Sequence, residues 1–388
     1  MLYILKLLKN TLLYPVNFYL AACIIFFATS FSYATFIKTF EFYDLPLSQD
    51  EVDYALAAQR GISANYLESE TLSFVDFARL SILKISADKS EIQTFASTRI
   101  DEKDDLFILR HFHGVIPVYY WSLFINEDPG ISKKYLRIGS QIFYSLFVLC
   151  FMALLFFQLN CPRSISNLSI LTLVLFFSSK AFVISNLSMN YHIFLALFSL
   201  FFSYLLINNM QKRNNLHLLS ISIAIMLATL ETSVFIIFPA LLVIFFLRKS
   251  FFEVSQIIIK IIFFSIFYLV LFWPGVIFSG SILKSWLMYI YRIFFANNSE
   301  YSSISRLDFL GGFISDSIGL VFFAIIMLVL IAINKEKFTI FNLPLFLGII
   351  YFLIIINFAL NVTYILPAVV LMIFGLVLTF EASKFSKE

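Results

Sequence analysis

The amino-acid sequence predicts an all-α polytopic membrane protein of about ten transmembrane helices with a large first outer loop containing interfacial helices. Three observations carry this. Of 388 residues, 61% are hydrophobic, 50 are Phe, and only 13% are charged. Apolar runs of membrane-crossing length recur along the chain. The charges are segregated: residues 38–133 hold 16 of the 24 acidic residues and only 9 of the 27 basic ones. An ordinary soluble domain is excluded by such composition, whereas helices that satisfy their own backbone can pack side by side in lipid. The whole chain, 1–388, reads as one integral-membrane domain.

In chain order, Lys6 and Lys9 precede an apolar run over 14–36, which reads as a signal anchor with its N-terminus in the cytoplasm. Residues 38–133 then form the first outer loop. Nine further apolar segments follow, at 134–158, 165–185, 191–208, 216–230, 233–247, 256–273, 314–333, 340–357 and 363–380. With the N-terminus inside, Arg163, Lys212-Arg213, Arg248-Lys249, Lys335 with Lys337, and Lys384 with Lys387 all fall on inner connections, as the positive-inside bias requires. Both termini are therefore expected in the cytoplasm, with residues 275–312 as a second outer loop. Read as one helix, 216–247 would run about 48 Å, too long even when tilted. Two short helices turning near Glu231-Thr232 fit the charges better. The cysteines Cys23, Cys150 and Cys161 form no CxxC pair, so a disulfide framework or zinc site is not expected. Nothing in the charge pattern suggests nucleic-acid binding.

Inside the outer loop, Ser48 and Glu51 have capping-box spacing at the start of a helix-like segment, Gln49 to Gln59. The adjacent Asp50 has no such structural role. It shares a face with Asp53 and Tyr54, and it is the candidate general base, or the ligand of a metal that activates the acceptor. Phe74, Phe77, Ala78, Ile82 and Ile85 recur at helical spacing and predict a helix along the membrane surface. His111 and His113 lack the spacing of a metal pair. Arg137 opens a span and can bind phosphate oxygens with its planar fork. Arg292 and Arg306 could join it from the second outer loop. Lys180 and Glu231 sit within apolar segments, where an ionisable group is a functional candidate that could equally be half of a structural pair.

The run DE-x-x-Y-A-x-x-A from Asp50, after a first span, resembles the GT-C glycosyltransferase superfamily, which includes protein O-mannosyltransferases and lipid A aminoarabinose transferases. The resemblance continues in HGVIPVYYW at His113–Trp121, YLRIGS at Tyr135–Ser140 and TYILP at Thr363–Pro367. Only Pro117 stands for the His-Pro-Pro pattern of many members, and Thr363 replaces a common Arg. The resemblance implies a GT-C-like fold and transfer of a sugar from a polyprenyl-phosphate donor to an acceptor hydroxyl on the outer face, with inversion. It implies Asp50 and Glu51 as catalytic residues and Tyr54, His113, Tyr120, Arg137, Arg292 and Tyr364 as substrate-binding residues. No metal ligand set is assigned, and no cofactor is certain; a divalent cation, magnesium or manganese, stays open. The expected partners are the lipid-linked donor, a glycan, lipid or protein acceptor, and membrane lipid. The expected place is the bacterial inner membrane, with the active site facing the periplasm. An O-antigen polymerase or ligase and a lipid-linked-sugar flippase are the rival readings. The first would place its large loop late in the chain, and the second would show paired, broken spans in two related halves.

Overall fold

The computed structural model describes residues 49–67, 113–126, 129–159, 189–212, 215–247, 251–279, 305–317, 320–321, 324–325, 340–357 and 360–385. The first expected span, the one over 165–185, the surface helix over Phe74–Ile85, and Lys180 and Arg292 lie outside these residues. Side chains at Gln49, Asp50 and Asp53 also lie outside what is described.

Among the described residues the protein is all-helical, with no strand. Helices α1 (Gln49–Gln59), α2 (Gly61–Leu67) and α3 (Ile116–Ser122) are short. Then come α4 (Pro129–Leu159), α5 (Tyr191–Lys212), α6 (Leu216–Leu227), α7 (Val234–Leu247) and α8 (Phe251–Phe272). Finally there are α9 (Gly275–Ser279), α10 (Arg306–Asp316), α11 (Leu343–Ile355) and α12 (Leu366–Phe385). Three stretches, Lys133–Leu155, Tyr191–Met210 and Val254–Phe272, are long and apolar enough to cross a membrane. Four shorter apolar helices fall where the sequence places further segments.

The bundle is organised around α12. From Leu366 to Leu378 its side chains are buried on every face, the mark of a helix enclosed by others. It packs on α11, α5 and α4. At Gly375 the backbones come close: a Cβ there would collide with the backbone of Leu345 on α11. Helix α8 is the opposite case, with Phe252, Ile259, Phe263, Phe267 and Leu271 more than half exposed. An apolar face of that kind suits lipid tails rather than water.

Within 216–247 the helix is interrupted, as its length requires: α6 ends at Leu227 and a 3-10 turn, Glu231–Ser233, leads into α7. Ser220 Oγ donates to the Ile261 carbonyl, and further along, residues 228 and 272 both bond the same turn of α3. So α6 and α8 run side by side in one direction. The three-residue connection from α7 into α8 then requires α7 to run back, and the chain reverses at the Glu231 turn.

Close packing at Gly375 generates a stability prediction. Gly375→Ala should destabilise the folded protein by about 1–3 kcal/mol. Gly311→Ala, where a Cβ meets nothing within 4 Å, should be neutral or slightly stabilising. Thermal unfolding of both variants in one detergent compares them directly.

Candidate functional site

Helix starts and helix breaks gather at one end of the bundle, and their polar side chains meet there. Helix α1 enters first. Ala57 and Ala58 are buried, and Ser122 Oγ on α3 donates to the Ala58 carbonyl. The preceding turn of α1 places Glu51 inside the bundle, 3% exposed. One carboxylate oxygen accepts from the Met189 backbone N–H at 3.0 Å, and the other lies 3.5 Å from Nη2 of Arg137. Sequence spacing gives Glu51 a local capping role; the structure gives it a long-range one, tying α1 to the starts of α4 and α5. Arg137, 6% exposed, is thus a buried cation facing a buried carboxylate.

One turn along α1, the Tyr54 ring stacks on Trp121 with centroids 5.4 Å apart and meets Tyr191 at 4.6 Å and His113 at 6.5 Å. His113 precedes α3 in a bend pressed against the interruption between α6 and α7. The Ile116 N–H donates to the Ala228 carbonyl at 3.0 Å, and a Cβ at Gly114 would overlap that same carbonyl. This approach brings His113 Nδ1 to 2.9 and 3.0 Å from the two carboxylate oxygens of Glu231. Against an ionised carboxylate, which only accepts, Nδ1 is the donor of this contact. The Glu231 side chain is 0% exposed and that of His113 is 17% exposed, which leaves the imidazole as the member nearer solvent. Next in sequence, Thr232 shares a hydrogen bond with the Tyr351 hydroxyl of α11 at 3.1 Å.

A second imidazole, His192, lies fully inside the site at the start of α5. Its backbone N–H donates to Asn190 Oδ1 at 2.7 Å, and its ring sits 4.3 Å from Tyr364, which precedes α12. The buried atoms His192 Nδ1 and Trp121 Nε1 have no hydrogen-bond partner among the described residues. Buried polar atoms are normally paired, and exceptions call for an explanation.

Of the residues singled out in the sequence, Glu51, Tyr54, His113, Arg137 and Tyr364 converge here. Asp50 is the second residue of α1, and Arg292 lies outside the described residues. Tyr120 lies close by, but its hydroxyl donates to the Gly139 carbonyl at 2.6 Å, and burial pushes its pKa up to about 12. It therefore stays a protonated donor near neutrality. Arg306 Nη2 reaches the Asn357 carbonyl at 3.4 Å. The partner shown for Glu231 is His113, 118 residues away. Among the described residues, no group of three His, Cys, Asp or Glu side chains converges to hold a metal ion. Sequence reasoning missed the gathering of Trp121, Met189, Tyr191 and His192. The available signal was that polar and aromatic residues stand where apolar runs begin or end. No family model matches the chain, and neither does any curated protein or solved structure.

Breaking a buried ion pair strands its partner, at a cost of about 3–5 kcal/mol. Arg137→Met alone should therefore lose stability on that scale. The double variant Glu51→Leu, Arg137→Met should recover a large part of it, although the Met189 N–H then loses its acceptor. Chemical denaturation of the single and double variants in detergent measures the coupling.

Proposed function

We propose that the protein is a membrane glycosyltransferase that moves a sugar from a polyprenyl-phosphate donor to an acceptor hydroxyl, at a site between membrane and water. The observation supporting this reading is the site's chemistry. In a chain with 13% charged residues, five separate segments bring a guanidinium, two carboxylates and two imidazoles to one end of an apolar bundle. Ionisable groups so placed are functional candidates by default. A lipid-phosphate donor needs that arrangement: its tail stays among apolar side chains while its phosphate and sugar reach polar ones.

On this reading about ten spans place both termini in the cytoplasm of a bacterial inner membrane, with the site on the periplasmic face. The fold is then of the GT-C kind that the Asp50 motif resembles. Asp50 takes the proton of the acceptor hydroxyl. The oxygen attacks the anomeric carbon from the face opposite the phosphate, and the bond from that carbon to the phosphate oxygen breaks. Its electron pair leaves with polyprenyl phosphate, held by Arg137 and Arg292. Tyr54 and Tyr364 border the sugar, and Tyr120 supports them from α3. A divalent cation, magnesium or manganese, would assist at the phosphate.

The test is Asp50→Asn, with membrane insertion and abundance verified. Loss of a general base typically lowers rate by roughly 10²–10⁴-fold. Mass spectrometry of surface glycans and lipid-linked sugars should then show unmodified acceptor and accumulated donor, as in a deletion strain. Transfer at the wild-type rate would remove the assignment of Asp50. A deletion strain with unchanged glycans would remove the glycosyl-transfer reading itself.

A further inference from the structure

We propose that Lys260, His217 and Tyr268 form a binding site for one anionic phospholipid of the surrounding bilayer, at the end of the bundle opposite the candidate site. The site lies where α6 begins, and it is independent of sugar transfer. Lys260 is exposed on the same side of α8 as Ile259, Phe263 and Phe267, the face that suits lipid tails. It belongs to the stretch Val254–Phe272, which is long and apolar enough to cross a membrane. Within that stretch it stands six residues from the start, about 9 Å along the axis. An ammonium at that depth needs an anion or a route to the headgroups. Among the described residues no carboxylate pairs with it. The nearest acid in sequence, Glu253, stands two turns away, about 10.5 Å along the helix axis.

Alone, Lys260 would be an ordinary snorkelling lysine, but a polar pair stands beside it. Lys260, Phe264 and Tyr268 follow at i, i+4 and i+8 and so form one stripe along α8. His217, in the first turn of α6, packs its ring on Phe264 with centroids 4.3 Å apart. Its Nδ1 lies 3.1 Å from the Tyr268 hydroxyl. When that hydroxyl donates to Nδ1, Nε2 carries the ring hydrogen and becomes the outward donor. An ammonium and an exposed imidazole are thus set about one helical turn apart, roughly 5.4 Å, within reach of the oxygens of one headgroup. Helix α6 has 12 residues, about 18 Å, beside a hydrocarbon core about 30 Å thick. The bond from Ser220 to the Ile261 carbonyl sets Lys260 level with the first turn of α6. A bilayer next to so short a helix thins or draws headgroups inward. A phospholipid with its phosphate at Lys260 and His217, and its chains along Phe263, Ile266 and Phe267, meets both requirements. Charge selects the class of lipid. Lys212-Arg213 and Arg248-Lys249 flank α6 and α8 in sequence, and this excess of cations favours a net anionic headgroup over a zwitterion.

Native mass spectrometry of the full chain released from a non-ionic detergent tests the site, with phosphatidylglycerol or phosphatidylcholine titrated in. Wild type should hold one phosphatidylglycerol about 10-fold more tightly than phosphatidylcholine, the scale of a hydrogen bond to a charged group. Lys260→Met removes the ammonium but keeps an apolar side chain for the lipid face, and should bring the two affinities within about 2-fold. Lys260→Arg should keep the preference. His217→Phe preserves a ring against Phe264 and should lose about 3-fold of it. Lys134, exposed at the start of α4 and so at the other end of the bundle, is the control: Lys134→Gln should leave the preference unchanged. A preference that survives in Lys260→Met would overturn the proposal. So would equal losses in Lys260→Met and Lys134→Gln, which would report net charge alone. A chain that leaves detergent as a lipid-free dimer, and as a monomer in Lys260→Met, would overturn it by giving this face to a second copy.

Discussion

The constraint behind this structure is that an apolar helix bundle offers no water to a backbone group left open at a helix end. Each interruption must therefore be closed by another part of the chain. The carbonyl of Ala228, left open where α6 stops, accepts the Ile116 N–H. The Met189 N–H ahead of α5 is met by the Glu51 carboxylate. Asn209 closes the turn after α5 by accepting from the Asn215 N–H and donating to its carbonyl. Asn361 accepts from the Thr363 N–H and hydroxyl ahead of α12. Polar side chains are spent where the backbone needs them, and those places are few.

The site grows out of that requirement. The bend at His113 lies against the reversal between α6 and α7 because Gly114 allows the backbones to touch there. The same contact delivers the imidazole to Glu231. Glu51 meets the Met189 N–H and Arg137 together, joining the start of α5 to the start of α4. Between these two closures lie Tyr54, Trp121 and Tyr191, ring against ring. Closing the backbone and gathering ionisable groups are thus one structural event, seen from two sides.

This division explains what could be read in advance. The helices could, because each apolar run carries its own length: 191–208 lies within α5, and 233–247 nearly coincides with α7. The reversal at Glu231 also could, since a 32-residue apolar stretch does not fit across a bilayer as one helix. The partners could not. His113 and Glu231 are 118 residues apart, and Glu51 and Met189 are 138 apart. Only the packing of the intervening helices sets those pairings. Glu51 shows the limit well: its local spacing supports a cap, and nothing local points to Arg137. The Ser305–Asp308 cap that starts α10 is local in the same way, since its Ser-x-x-Asp spacing is itself a helix-start signal.

The two buried pairs also need a reason to exist. Closing an open N–H at Met189 or a carbonyl at Ala228 requires a neutral acceptor or donor, and an Asn or Ser would serve, as Asn209 and Asn361 do elsewhere in the chain. Burying a carboxylate with an arginine or a histidine adds a desolvation cost, and apolar side chains of similar volume often match or exceed the stability of such a pair. Packing alone therefore accounts for the helices and for the closures, but not for their charge. Among the described residues, the buried charged side chains Glu51, Arg137 and Glu231 lie at the end of the bundle where α1, α3, α4, α5 and the Glu231 turn meet. Those buried charges stand with their counter-charges already in place, Arg137 beside Glu51 and His113 beside Glu231, so the polar end of the bundle is built as compensated pairs rather than as isolated ions.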